Sequence, residues 1–201
     1  VVSDEMRAYY DRRAGEYDDW WLGTGLFARR DRPGWTDEVQ ALIRLIGALP
    51  PGRVLDVACG TGFLTRHLRG DVVALDQSAQ MVALTAARVP HAEVRQGDAV
   101  PLPFDDHQFD RLLTSHFYGH LVPGEREPFL AEARRVARRV VVVDAARRPG
   151  AGAEEWQWRR LNDGSRHTVY KRFFEPHELA GELGGGATIL HAGDWFVVVE
   201  A

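Results

Sequence analysis

Hydrophobic residues along this chain follow two alternating rhythms. Short runs of aliphatic and β-branched residues recur at Val54-Leu55 with Val57, at Val72 to Leu75, within Arg111 to Thr114 and at Val140 to Val143, and the more polar Glu93 to Gln96 is read as a further strand. Most are continuously apolar, which marks strands buried on both faces of a parallel sheet. Between them apolar positions return at helical spacing. Val39, Leu42, Ile43 and Ile46 form one such face, opened at Thr36 and stopped by Pro50-Pro51-Gly52. Met81 and Leu84 follow a Ser78 cap, and Phe129, Leu130, Ala133 and Val136 share a face within Glu125 to Arg138. Strands alternating with helices predict an α/β domain built on a parallel sheet.

The two ends depart from this rhythm. Pro176 starts another helix that runs to Gly184-Gly185-Gly186, and Ala187 to Leu190 with Trp195 to Val199 read as an antiparallel hairpin around Ala192-Gly193-Asp194. Between the fifth strand, which ends at Asp144, and Pro176, the segment Glu154 to Leu161 with Trp156 and Trp158 is expected as a short helix. A turn at Asn162-Asp163-Gly164-Ser165 and an extended run through His167, Tyr170, Arg172 and Phe173 follow it. At the N-terminus Ser3 can cap a helix with Asp4 and Glu5 in its first turn. Tyr10, Ala14 and Tyr17 would share one face, with Gly15 interrupting. These tyrosines, with Tyr9, Trp20, Trp21 and Phe27, suit a lid that is apolar on one side, or padding against the sheet. With no internal repeat, the reading is a single domain over 1–201, with 1–35 as the N-terminal lid and 146–175 as an insertion on the substrate side.

The candidate chemistry starts where the first strand breaks. Asp56 sits at its carboxyl end, and Gly60, Thr61 and Gly62 follow, a turn that lets a ligand approach the backbone closely. Helical spacing is expected to resume at Phe63, Leu64, His67 and Leu68. A P-loop is excluded because Phe63 and Leu64 stand where Lys and Ser or Thr are needed, and the dinucleotide fingerprint fails because Thr65 replaces its third glycine. Asp76, 20 residues after Asp56, ends the second strand, where an acid can accept from both hydroxyls of a ribose. The remaining pattern, Asp-x-Ala-x-Gly-x-Gly at Asp56, Ala58, Gly60 and Gly62, resembles motif I of the class I S-adenosylmethionine (SAM)-dependent methyltransferases. That family usually has glycine where Ala58 stands. Leu102 to Asp110, Leu-Pro-Phe-Asp-Asp-x-x-Phe-Asp, is similar to the segment before the fourth strand in the ubiquinone/menaquinone-biosynthesis-like branch.

The resemblance spans about residues 36–201. It implies a Rossmann-like, doubly wound seven-stranded sheet, mostly parallel with a C-terminal antiparallel hairpin, beside an N-terminal helical and aromatic lid. It also implies a site. Asp56 and the backbone of Ala58, Cys59, Gly60 and Gly62 would hold the methionine part of SAM. Asp76 with Gln77 would take the ribose, Asp98 and Ala99 the adenine with Met81 nearby, and Ser115 and His116 the methyl end. Tyr10 and Tyr17 join this cofactor set from the N-terminus. The catalytic candidates are His116, His120 and Tyr118, either histidine being able to take a proton if the nucleophile must lose one, or to be structural. No metal is expected: His116 and His120 are four apart, but Gly119 and Pro123 weaken a helix there and no carboxylate pair accompanies them.

Composition narrows the acceptor. The 201 residues carry a net charge of -4 and no long basic run, which argues against a nucleic-acid partner. One cysteine fits a reducing compartment, and no apolar run is long enough to span a bilayer, so a cytoplasmic protein without a membrane partner is expected, as monomer or homodimer. A small, partly apolar acceptor with an O, N or C nucleophile follows. The alternative is a SAM-binding regulatory or partner subunit that does not turn over.

Overall fold

The computed structural model describes residues 4–201. Five strands, β1 (Gly52–Val57), β2 (Gly70–Asp76), β3 (Glu93–Gln96), β4 (Phe109–Ser115) and β5 (Ala137–Ala145), run parallel. A closing antiparallel pair, β8 (Thr188–Ala192) and β9 (Phe196–Glu200), completes a seven-stranded sheet of order β3-β2-β1-β4-β5-β9-β8. The seven-stranded sheet and its closing hairpin are as the sequence implied.

Two cores sandwich the sheet because successive side chains on a strand point to opposite faces. Leu112, Val140, Val142, Val197 and Val199 face one core, together with α5 (Arg126–Val136) and α6 (Pro176–Leu183). Leu113, Val141, Val143, Phe196 and Val198 face the other, with Val39, Leu42 and Ile46 of α3 (Trp35–Ala48). This is why the central strands read as unbroken apolar runs. Among the described residues no helix is long and apolar enough to cross a membrane.

Two expectations need correction. Residues 154–161 are not helical: β6 (Glu154–Arg160) pairs antiparallel with β7 (Arg166–Arg172) as a separate two-stranded sheet. The signal was a period of two rather than 3.6, for Gln157 and Arg159 are partly covered while Trp156, Trp158 and Arg160 are exposed. The Asn162–Ser165 turn is therefore the loop of this hairpin. After Gly62 no full helix forms either. A single 3-10 turn, Thr65–His67, is all that fits before β2 begins, and Phe63 and Leu64 instead turn into the core, with Phe63 stacked on Trp21 at 4.8 Å.

The N-terminal residues form α1 (Asp4–Arg13), a 3-10 turn and α2 (Asp18–Leu22). Ser3 lies outside the described residues. Tyr9 packs with Leu161 and Val169 in a small third core, joining α1 to the β6–β7 hairpin.

Glu38 of α3 ties the closing hairpin to the sheet's helical layer. Its carboxylate accepts from the backbone N–H of Trp195 at 3.1 Å and of Phe196 at 2.8 Å, and meets His191 Nε2 at 3.1 Å. Glu38→Ala is expected to strand both N–H groups and to cost about 1–3 kcal/mol. An unchanged urea midpoint would show that water replaces the carboxylate.

Candidate active site

The strand order reverses between β1 and β4, so a crevice opens at their carboxyl ends, where open α/β sheets bind ligands. The turn after β1 is unusual. Ala58, Gly60 and Gly62 have φ of 57°, 57° and 73°, in the left-handed region. Glycine adopts it freely; Ala58 does so at a cost. The turn is pinned to β2, with Cys59 N donating to Leu75 O at 3.1 Å and Gly60 N to Asp76 Oδ2 at 2.9 Å. The other oxygen of Asp76 accepts from Ser78 N at 2.9 Å. Ser78 Oγ in turn accepts from Met81 N at 3.2 Å, capping α4 (Ala79–Arg88). Burial pushes the Asp76 carboxyl up to about 6, against the pull of the Ser78 and Gly60 N–H groups.

A cavity of about 300 Å³ occupies this crevice. Its floor is Ala58, Gly60, Asp76 and Ser115, and Leu75, Met81 and Ala99 are among its apolar walls. Tyr10, Tyr17, Trp156 and Val169 also line it, from the N-terminal segments and the β6–β7 hairpin. The N-terminal segments are fastened to the crevice by polar contacts: Ser78 Oγ to Asp11 Oδ1 at 2.5 Å, Thr61 Oγ1 to Asp18 Oδ1 at 2.6 Å, and Arg88 Nη2 to Asp18 Oδ2 at 2.5 Å.

Of the residues singled out from sequence, Tyr10, Tyr17, Ala58, Gly60, Asp76, Gln77, Met81, Ala99, Ser115, His116 and His120 line this cavity. Five do not. Asp56 turns into the protein, where its carboxylate accepts from Thr65 Oγ1 at 2.6 Å, and burial raises it to about 7. The Cys59 thiol points to Thr85 Oγ1 at 3.7 Å, and Gly62 packs on the same threonine. The Asp98 carboxylate is half exposed and pairs with Arg7 at 3.8 Å. Tyr118 lies behind the β4 tip, donating to Glu182 at 2.9 Å and stacking on Phe174. For Asp56 the reason is the alternation of the strand: the side chain before the turn faces the core side of the backbone, not the crevice.

The histidines are placed at the site but are poor bases. His116 follows β4 with φ of 52°, another strained residue at a strand tip, and sits beside Trp20 and Trp21 at 4.7 and 5.2 Å between ring centres. Burial, then the field of Lys171, pushes its pKa down to about 3, although Asp144 opposes this. His120 is likewise driven well below its ordinary value by burial and Lys171. Its Nδ1–H donates to the Tyr170 carbonyl at 2.6 Å, since a carbonyl can only accept. Both rings are therefore neutral near pH 7 and weak as proton acceptors.

Asp144, at the end of β5, organises this region without having drawn notice as more than a strand end. It is fully buried, accepts from the N–H groups of Gly119 at 2.7 Å and Ala145 at 2.8 Å, and pairs with Lys171 of β7. Burial alone would raise its pKa, but Lys171 holds it below the usual carboxylate range. An acid at the tip of a central strand was the available signal; the partner Lys171, on a hairpin read only as extended chain, had none.

A second cavity, of about 840 Å³, adjoins the first. Tyr17, His116, His120 and Trp156 line both, so the two meet at the tip of β4. Aromatic rings dominate its wall, among them Trp20, Phe27, Trp35, Trp158 and Trp195.

Comparison with known proteins fits this geometry. A family model described as a methyltransferase domain matches residues 54–139. A demethylmenaquinone methyltransferase of Renibacterium salmoninarum is 34% identical over 67% of this chain and 55% of its own length. A 2-phytyl-1,4-naphtoquinone methyltransferase of Synechocystis is 32% identical over 71% of this chain and 63% of its own. The chain spans about half the length of the first curated relatives it matches. Among solved structures, a DhpI–SAM–HEP complex superposes with a TM-score of 0.77 at 26% identity, covering 100% of this chain and 99% of that one. A DhpI–SAH complex gives 0.75 at 29% identity, covering 98% and 94%.

The chain belongs to the class I SAM-dependent methyltransferases. Its residues fit the cofactor of that family. Three buried polar atoms that line the first cavity, Gln77 Oε1, Ser115 Oγ and His116 Nε2, have no hydrogen-bond partner among the described residues. Such atoms call for a polar ligand. The two Asp76 oxygens each use only one acceptor position on the backbone, leaving capacity for hydroxyl donors.

Two outcomes are expected here. Ala58→Gly should stabilise the fold by about 0.5–1 kcal/mol, because relief of the left-handed strain outweighs the added chain entropy; a lower melting temperature would refute the strain. Asp56 and Asp76 have folded pKa values raised above those of the unfolded chain, so their contribution is full below about pH 4 and is lost as pH rises through about 6 and 7. His116 and His120, held below their ordinary values, act with the opposite sign below about pH 6.5, so the measurement is a difference: between about pH 4 and pH 7 the ligand-free protein should lose stability relative to Asp56→Asn in denaturant titrations, and an unchanging difference would contradict it.

Proposed function

We propose that this chain transfers a methyl group from SAM, seated in the smaller cavity, to a small-molecule acceptor in the larger one. The observation that carries the reading is the meeting of the two cavities at Tyr17, His116, His120 and Trp156. SAM supplies an electrophilic methyl on a sulfonium that is already a good leaving group, so the protein's task is alignment and exclusion of water.

In this reading Asp76 accepts from the ribose hydroxyls, and Leu75, Met81 and Ala99 flank the base. Asp98 contributes at most through its neighbouring backbone. The left-handed turn at Ala58–Gly62 lets the amino-acid part approach the chain, and Asp56 acts indirectly by holding Thr65 beneath it. Ser115 and His116 face the junction. His116 and His120 position the acceptor rather than deprotonate it, so nucleophiles that are ionised in solution, or are sufficiently reactive as neutral atoms, suit the site.

The aromatic wall of the larger cavity favours a planar ring as the acceptor's body. The quinone-type methyltransferase names of the curated relatives support the same choice.

Asp76→Ala should weaken S-adenosylhomocysteine (SAH) binding by about tenfold to a hundredfold, since a charged acceptor of two hydroxyls is worth about 1.5–3 kcal/mol. Calorimetric titration measures it, and undiminished affinity would remove Asp76 from the cofactor site.

A further inference from the structure

The larger cavity is cationic in a protein that is not. The chain carries 25 basic and 29 acidic residues, yet seven basic side chains line this cavity against three carboxylates. The three carboxylates are already engaged: Glu16 accepts from Asn162 N, Asp19 from Thr24 Oγ1 and Glu155 from Gln157 Nε2. Several of the cations are engaged too. Lys171 pairs with Asp144, and Arg30, Arg32 and Arg148 lie over the rings of Phe27, Trp35 and Trp195.

Arg160 is exposed, whereas Arg13 and Arg159 stand on α1 and β6, the elements whose Tyr10 and Trp156 also line the smaller cavity. Arg13, at the end of α1, is 8% exposed, and its guanidinium meets only the Tyr9 hydroxyl at 3.0 Å and the Tyr9 and Tyr17 rings. Arg159 of β6 donates only to the amide oxygen of Gln157, at 2.9 and 3.2 Å. Neither has a carboxylate within ion-pair distance among the described residues. A buried guanidinium such as that of Arg13 is costly without a counter-ion, Arg159 is partly covered, and each retains N–H donors for an anion. The two come from segments far apart in sequence, brought together by the packing of Tyr9 on Leu161 and Val169. Their fields converge on the junction of the cavities, where both lower the pKa of His116.

We propose that the larger cavity takes an acceptor bearing an oxyanion group, bound between Arg13 and Arg159, with its ring against the tryptophans. This rests on the methyl-transfer reading and narrows it: the acceptor is an anionic aromatic or ring compound, not an uncharged one. The oxyanion can be phosphate-like or carboxylate, since a guanidinium binds either in bidentate fashion. Arg159 and Arg13, which add to the burial and the Lys171 field that weaken His116 as a base, are then also the groups that recognise the substrate.

The test uses the full chain and three probes of one shape: phenyl phosphate, benzoate and uncharged benzyl alcohol, titrated with and without saturating SAH. At least one anion should bind, its affinity should fall with salt, and benzyl alcohol should bind about tenfold more weakly or not at all. The stronger of the two anions identifies the oxyanion class. Arg159→Gln, on the exposed hairpin, and Arg13→Gln should each weaken that anion about tenfold while leaving SAH affinity within about twofold. Equal binding of all three probes, no binding of either anion, or indifference to Arg159→Gln would overturn the proposal. The wild-type and Arg159→Gln titrations decide it even if Arg13→Gln fails to fold. Failure of SAH to bind the wild-type chain would instead strike the cofactor reading, and the titrations without SAH would still judge the anion site.

Discussion

The site is held in shape by one carboxylate. Asp76 accepts from the turn after β1 through Gly60 and from the start of α4 through Ser78. Without it the left-handed turn would lose its tie to the second strand, and α4 would lose its orientation over the crevice. The cost appears in the raised pKa: burial opposes the charge, and the Ser78 and Gly60 N–H groups offset part of that penalty. The tip of β2 thus both ends an element and shapes the crevice beside it.

Around that fixed point the two cavities differ in chemistry. The smaller has an acid, orphaned polar atoms and apolar side walls; the larger has aromatic walls and cations. A sulfonium nucleoside and an anionic partner would attract one another across such a boundary. Asp144 stands behind the boundary and pairs with Lys171, and the cationic field at His116 comes first from Lys171 and then from Arg159 and Arg13.

The sheet was legible in the sequence because a strand covered on both faces writes an unbroken apolar run, as at Val140 to Val143. The left-handed turn after β1 was legible because its glycines have a backbone reason, and the place of Asp76 at the crevice because an acid at a strand end is itself informative. What could not be read was whatever depends on contacts between distant segments. Arg13 and Arg159 look like ordinary surface arginines until Tyr9 and Leu161 bring them together. The Asp56 carboxylate depends on such a contact too, with Thr65, nine residues on, donating to it inside the protein. Glu154 to Leu161 reads as a helix only if its spacing is ignored, since Trp156 and Trp158, two apart, share one face of a strand and not of a helix.

The small cluster of Tyr9, Leu161 and Val169 has a mechanical meaning. It glues the first helix to the inserted β-ribbon, so neither can swing away from the crevice alone. A change at Tyr9 would therefore be felt on both sides of the contact, by the helix that carries Arg13 and by the ribbon that carries Arg159.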